Sequence, residues 1–301
     1  MSGHRGAGRY APSPTGELHL GNLRTAVLAW LFARAGDRRF LLRIEDLDTG
    51  RVRLGMADQQ TADLAALGLD FDPPTLTQSA RTEVYAAALA TLAGRTFECF
   101  CTRREIAEAA SAPHGAVPRY PGTCRDLTPA QRAERRRARA PALRLRADGA
   151  QQTISDLLHG TVTGTVDDIV VRRNDGVAAY HLAVVVDDGD TGVDQVVRGD
   201  DLLPSAVSQA YLARLLGYPV ATYAHVPLAL NPGGRRLAKR DGAVTLADLV
   251  AQGRTPVQVL GLIAGSLGLP PAATVAELLP VFDPARLPRE PWVVHPASVT
   301  S

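Results

Sequence analysis

The apolar positions of this chain switch repeatedly between a strand period and a helix period. Residues 8–11 read as a short strand, ended by the loop Pro12-Ser13-Pro14-Thr15-Gly16, whose two prolines and glycine do not continue it. Leu23, Val27, Leu28, Trp30 and Leu31 then form a broad apolar face at helical spacing, which predicts a helix over 22–35 stopped by Gly36. Residues 39–44 read as a second strand, and helical spacing returns over 55–67 and 82–93. A strand, a helix and a strand in this order predict an α/β nucleotide-binding half.

From about Cys99 this rhythm stops, and a Pro/Gly-rich stretch over 113–122 leads into a basic segment over 132–146. Strand-like runs resume over 166–172 and 181–186. The second is followed by what reads as an acidic turn, Asp187-Asp188-Gly189-Asp190, and by an apolar strand ending at Val197. The pattern beyond predicts a helix over 205–216, a strand over 223–230, a turn over 231–234, one or two helices over 245–267 and a proline-rich tail.

At 301 residues the chain has room for about two domains, or for one large domain with an insertion. Its 46% hydrophobic and 21% charged residues exclude disordered, collagen-like and disulfide-scaffold classes. The formal net charge is only +2, so any nucleic-acid surface must be local. Such a surface is predicted between residues 103 and 146, where eleven arginines face four acids; the competing reading is a solvated charged face. No apolar run reaches the roughly 20 residues of a membrane span and the polar start lacks a signal-peptide pattern. With an odd number of cysteines, three, these features predict a cytoplasmic protein in a reducing compartment.

Three short patterns carry candidate chemistry. His19-Leu20-Gly21-Asn22 opens a predicted helix just after a strand and a tight loop. A helix N-terminus offers unpaired N–H groups and a positive dipole end, so this position suits a triphosphate. Lys239 is the only lysine, against 32 arginines, and follows the glycine-containing turn at 231–234. A compact, flexible ammonium there can follow charge developing on phosphates, or it can be a surface lysine of no consequence. Cys99, Cys101 and Cys124 place every thiol of the chain in one window, which suggests zinc, with His114 an ordinary fourth ligand and buried, unligated cysteines the alternative.

The ordered segments GRYAPSPTGELHLGNLRTA from Gly8, LRIEDLD from Leu42, VVVDD from Val184, VVRGDDLL from Val196 and HVPLALNPGGRRLAKRDG from His225 resemble the catalytic domain of glutamyl-tRNA synthetases, which are class I aminoacyl-tRNA synthetases. The resemblance implies an α/β, Rossmann-like catalytic domain split into 1–97 and 176–244. A zinc-containing, acceptor-binding insertion would occupy 98–175 and a short helical segment 245–301. It implies that His19, Gly21, Asn22 and Lys239 contact ATP, with His19 and Lys239 catalytic. Ala238 and Arg240 replace the two serines of the lysine-bearing signature. The resemblance further implies that Arg9, Tyr10, Ala11, Pro12, Ser13, Glu45, Tyr180 and Arg198 bind L-glutamate, that Mg²⁺ accompanies ATP, and that Tyr120 joins Cys99, Cys101 and Cys124 around Zn²⁺.

Residues 240–301 are too few for the anticodon-binding region of a discriminating glutamyl-tRNA synthetase. That implies the truncated branch of the family, which transfers glutamate to the queuosine base of tRNA(Asp), with no obligate protein partner and no membrane. A mini-synthetase charging a tRNA 3′ end and a non-catalytic tRNA-binding module are the alternatives.

Overall fold

The computed structural model describes residues 6–102, 104–106, 119–237 and 244–295, so His114 and Lys239 lie outside the described residues. Strand β1 (Ala7–Tyr10) leads through the proline loop into helix α1 (Leu20–Ala35), and β2 (Arg39–Ile44) returns parallel to β1. The helix starts earlier than its apolar spacing predicts because His19 caps it. The ring of His19 accepts the Asn22 N–H and the Asn22 side chain accepts the His19 N–H, satisfying two otherwise unpaired donors. Helix α2 (Met56–Ala66), the short strand β3 (Leu76–Thr77) beside β2, and helix α3 (Thr82–Thr91) complete the first half.

The middle of the chain holds an antiparallel sheet of β4 (Thr96–Cys99), β5 (Ala142–Leu145) and β8 (Val170–Arg172), with the arginine-rich helix α4 (Pro129–Ala138) and the hairpin of β6 (Gln151–Asp156) and β7 (Gly160–Thr165). Helix α5 (Tyr180–Thr191), strand β9 (Gln195–Gly199), helix α6 (Leu203–Leu215) and strand β10 (Thr222–Val226) follow. β9 and β10 are parallel neighbours, and β6 pairs in parallel with the other edge of β10. A parallel bridge between Ala7 and Val193, with the Asp194 N–H on the Ala7 carbonyl at 3.1 Å, joins β1 to β9. The parallel strands therefore run β3-β2-β1-β9-β10, a doubly wound order whose switch point lies between β1 and β9.

The segment predicted as one strand over 223–230 is divided at Pro227 into β10 and β11 (Ala229–Leu230). Helices α7 (Leu246–Ala251) and α8 (Pro256–Ser266) fold back on α1, and β12 (Trp292–Val293) pairs with β11. This return explains the breadth of the apolar face of α1. Leu23, Leu28, Leu31 and Phe32 share one core with Leu249, Leu260, Ile263 and Leu278, so the helix is covered on both sides. No helix among the described residues is long and apolar enough to cross a membrane.

The structure corrects one element outright. Residues 181–186 are not a strand, and Asp187-Asp188-Gly189-Asp190 is not a turn; all belong to α5. The helix ends at Gly192, in the left-handed region at φ 71°, with the Val193 N–H on the Asp188 carbonyl at 2.9 Å, a glycine-capped terminus. Gly189 sits inside the helix for a different reason: a Cβ built there would lie 2.3 Å from the Tyr218 ring. The aspartates and the glycine thus answer to tertiary neighbours that local propensity does not contain.

Gly189→Ala removes a poor helix former, which by itself would stabilise a free helix by about 1 kcal/mol. Against the Tyr218 ring it should instead lower stability by about 1–3 kcal/mol, read as a shifted urea midpoint. The same change in a Tyr218→Ala background should stabilise. A stabilising Gly189→Ala in the otherwise native chain would contradict this packing.

Candidate active site

A cleft of about 860 Å³ opens at the carboxyl ends of β1 and β9, where a doubly wound sheet receives its ligand. Its floor begins with the proline loop, which is held from outside. The Glu45 N–H donates to the Pro12 carbonyl and the Arg53 N–H to the Pro14 carbonyl, both at 3.0 Å. The side-chain amide of buried Gln60, from α2, donates to the carbonyls of Ser13 at 3.0 Å and Gly16 at 2.6 Å. The loop thereby presents Arg9, Tyr10, Ala11, Pro12 and Ser13 to the cleft as a fixed surface.

His19, Gly21 and Asn22 line the same cleft at the start of α1. Because His19 Nδ1 accepts the Asn22 N–H at 3.3 Å, a neutral ring carries its proton on Nε2, a donor suited to an anionic oxygen. Gly21 is a packing requirement: a Cβ there would approach the Ala229 Cβ to 3.0 Å and the His19 ring to 3.1 Å. The site thus holds a helix N-terminus capped by an imidazole, an arrangement favourable to phosphate.

Behind the cleft lies a buried charge network. Asp188 of α5 receives Arg9 Nε at 3.1 Å and the Arg43 guanidinium, while fully buried Asp187 receives Arg81, Gln78 and Tyr85. Burial would raise the Asp188 carboxyl, but Arg9 and Arg43 hold it below the usual carboxylate range. Glu45 Oε1 accepts from Arg43 Nη2 at 3.1 Å. Among the described residues no hydrogen bond is formed to its Oε2, which leaves an acceptor for a cation. Burial dominates there and pushes the Glu45 carboxyl up, against the opposing pull of Arg43 and Arg9.

Arg198, on β9, is 6% exposed and lines the cleft with half-exposed Tyr180. Its Nε donates to His225 Nε2 at 3.0 Å, Nη1 to Gln209 Oε1 at 2.7 Å and Nη2 to the Leu202 carbonyl at 3.3 Å. None of these partners is a carboxylate, and no acid among the described residues forms an ion pair with it. A buried guanidinium held only by neutral acceptors, with N–H groups to spare, is arranged to receive an anion.

Cys99, Cys101 and Cys124 come together, with their sulfur atoms within 4.8 Å of one another. Tyr120 Oη lies 3.5 Å from Cys99 Sγ and 3.9 Å from Cys101 Sγ, and accepts the Cys124 N–H at 2.7 Å. Arg144 stacks over the Tyr120 ring at 4.0 Å and Arg135 Nη1 approaches Cys124 Sγ at 3.7 Å. The cluster can hold a metal ion, and two guanidiniums beside it offset thiolate charge. In the predicted basic stretch, Arg125, Arg136, Arg137, Arg139 and Arg146 pair with acids of the same fold, which leaves the α4 surface less positive than its composition.

Sequence reasoning missed Asp187 and Asp188 as functional supports, together with Arg43, Gln60, Gln209, Asp156 and His225. Arg43, Asp187, Asp188 and His225 lie inside motif segments that do not reveal their partners, which are distant in the chain, and Gln60, Gln209 and Asp156 lack a local signature. The α4 helix did have one. Thr128 and Gln131 form a capping box with Pro129 inside the first turn, the same Thr-Pro-x-Gln signal that starts α8.

Comparison with known proteins agrees with this geometry. The family described as tRNA synthetases class I (E and Q), catalytic domain, matches residues 7–276. A glutamyl-Q tRNA(Asp) synthetase of Nocardia farcinica is 65% identical over 292 residues, covering 96% of this chain and 93% of that protein. The protein of the same description from Cutibacterium acnes is 55% identical over 276 residues, covering 91% and 79%. In fold, the chain is similar to a glutamate tRNA ligase of Elizabethkingia meningosepticum, solved in complex with its amino acid, with a TM-score of 0.80 at 24% identity over 98% of this chain and 68% of that one. A family match over residues 7–276 and relatives 55–65% identical over more than nine-tenths of this chain place it among the class I (E and Q) tRNA synthetases, in the family of glutamyl-Q tRNA(Asp) synthetases.

Proposed function

We propose that this protein is a ligase that activates L-glutamate with ATP and transfers it to queuosine in the anticodon of tRNA(Asp). The observation that carries the reading is the cleft's charge complement. Arg198 is buried with no carboxylate partner among the described residues, while Arg9 and Glu45 stand nearby on the same cleft. Glutamate brings two carboxylates and one ammonium, so Arg198 and Arg9 with Tyr180 would anchor the carboxylates and Glu45 Oε2 the ammonium. The loop residues Tyr10 to Ser13 would supply backbone and hydroxyl contacts.

In the first step an oxygen of the glutamate α-carboxylate attacks the α-phosphorus of ATP. The bond from that phosphorus to the bridging oxygen breaks, and pyrophosphate leaves with Mg²⁺, which enters as part of the nucleotide substrate. His19 Nε2–H, the α1 N-terminus and Lys239 would stabilise the phosphate oxygens; no protein nucleophile is needed. In the second step a queuosine hydroxyl attacks the acyl carbon, AMP leaves, and the hydroxyl proton departs to the released phosphate or water. The insertion at 98–175, between catalytic segments 1–97 and 176–244, would carry the tRNA on the arginine-rich α4, with Arg132 and the exposed guanidiniums of Arg136 and Arg137 toward phosphate. Helices α7 and α8, within the proposed C-terminal segment 245–301, brace α1.

Zn²⁺ fits the cluster of Cys99, Cys101, Tyr120 and Cys124, whose three thiols and one phenol supply a tetrahedral donor set. Bound there it would fix the insertion's loops, a structural part only, since none of the four ligands lines the cleft.

Two outcomes are expected. Labelled glutamate should accumulate on queuosine-containing tRNA(Asp), falling steeply with salt, and not on queuosine-free tRNA(Asp). Glutamate on the 3′ end of queuosine-free glutamate tRNA would favour a mini-synthetase instead. Protein prepared with zinc should hold one equivalent by elemental analysis, and Tyr120→Phe should retain zinc more weakly. Unchanged retention in Tyr120→Phe would remove the phenol from the ligand set.

A further inference from the structure

Arg198 is not held by its own strand. Its Nε donates to His225 Nε2 at 3.0 Å, and His225 Nδ1 lies 2.6 Å from Asp156 Oδ2. The side chains of His225 and Asp156 are both fully buried. Arginine can only donate, so Nε2 must offer a lone pair, and the proton of a neutral His225 must sit on Nδ1, where the Asp156 carboxylate accepts it. Protonation of both ring nitrogens would set two donors against each other at Nε2. Burial and the neighbouring Arg198 both push the His225 pKa down, outweighing Asp156.

Asp156 is itself built in. Its Oδ1 accepts the N–H groups of Leu158 and His159, each at 2.9 Å, and its Oδ2 also accepts the His225 N–H at 3.2 Å. The groups facing His225 are thus Asp156 and His159 from the β6–β7 hairpin, Arg198 from β9 and the stacked Tyr223 ring on its own strand. A carboxylate that fixes a tautomer, and an imidazole that presents its lone pair to a guanidinium, form a directional chain ending at the cleft.

We infer that Asp156 and His225 are positioning residues for glutamate: the hairpin of the insertion, through His225, fixes the direction in which Arg198 presents its remaining N–H groups to a substrate carboxylate. With Nε, one Nη1 hydrogen and one Nη2 hydrogen engaged by His225, Gln209 and Leu202, one hydrogen on each Nη is left, a pair able to grip one carboxylate. The inference rests on the assignment of Arg198 to glutamate proposed above. It adds that the amino-acid site is incomplete without a residue 69 positions from His225 in the chain.

The test is ATP–pyrophosphate exchange with glutamate and ATP varied separately. Asp156→Asn can turn its amide toward Nδ1, moving the ring proton to Nε2 and against Arg198. It should raise the glutamate KM by roughly ten- to a hundredfold, the scale of a misplaced anchor, while the ATP KM changes less than about threefold. His225→Leu should do the same, and His225→Gln, whose side-chain oxygen can accept from Nε, should recover part of the loss. Arg198→Gln serves as the control. If it leaves the glutamate KM unchanged, the assignment of Arg198 fails; if it raises the KM while folded Asp156→Asn does not, only the positioning inference fails. Nitrogen-15 imidazole spectra of the unmutated protein give a reading independent of variant folding. A neutral ring protonated at Nδ1 is expected for His225, and a ring protonated at Nε2 overturns the inference.

Discussion

The site depends first on a buried charge arrangement that bridges the two halves of the sheet. Asp188, near the end of α5, takes Arg9 from β1 and Arg43 from β2, and Asp187 beside it takes Arg81 from the segment leading into α3. With Arg43 3% and Asp187 0% exposed, each charge would be costly alone, and removal of one partner from such a pair typically destabilises by about 3–5 kcal/mol. The network therefore works as a fixed frame. Arg9 cannot turn away from the cleft without leaving Asp188, and Glu45 is directed by Arg43, which Asp188 also holds.

The same frame explains which parts of the structure were legible in the sequence. The β1-α1-β2 unit could be read nearly to the residue because prolines, an apolar helix face and a glycine stop act within a few positions of one another. For 181–191 the local signals pointed the wrong way. Three valines suggested a strand and Asp-Asp-Gly-Asp a turn, but the aspartates face arginines more than 100 positions away in the chain. Gly189 makes room for Tyr218. Tertiary partners decided that segment, and no window of the sequence contains them.

The insertion shows a second kind of illegibility. Strands β6 and β7 are built of Thr, Gly and Gln with few large apolar residues, so their alternation is faint, although β6 alternates cleanly between exposed and buried positions. The cysteine window, in contrast, was legible as a cluster because thiols are scarce in this chain, and the fold gathers all of them. Of the predicted cleft residues, those on the proline loop, at the start of α1, and Glu45, Tyr180 and Arg198 share one cavity. Of their supports, Gln60 and Gln209 carry no motif of their own, while Asp188 and His225 lie inside the motif segments VVVDD and HVPLALN but show their supporting roles only when the sheet is assembled.

The account's central claim is that the Asp188 frame orients the cleft as well as stabilising the fold. Asp188→Asn keeps the shape and removes the charge, so the most direct measurement is calorimetric titration of that variant with glutamate, paired with urea unfolding. The prediction is a stability loss of about 3 kcal/mol, together with glutamate affinity lowered roughly tenfold or more in protein that remains folded. Native stability with unchanged glutamate affinity would contradict the claim.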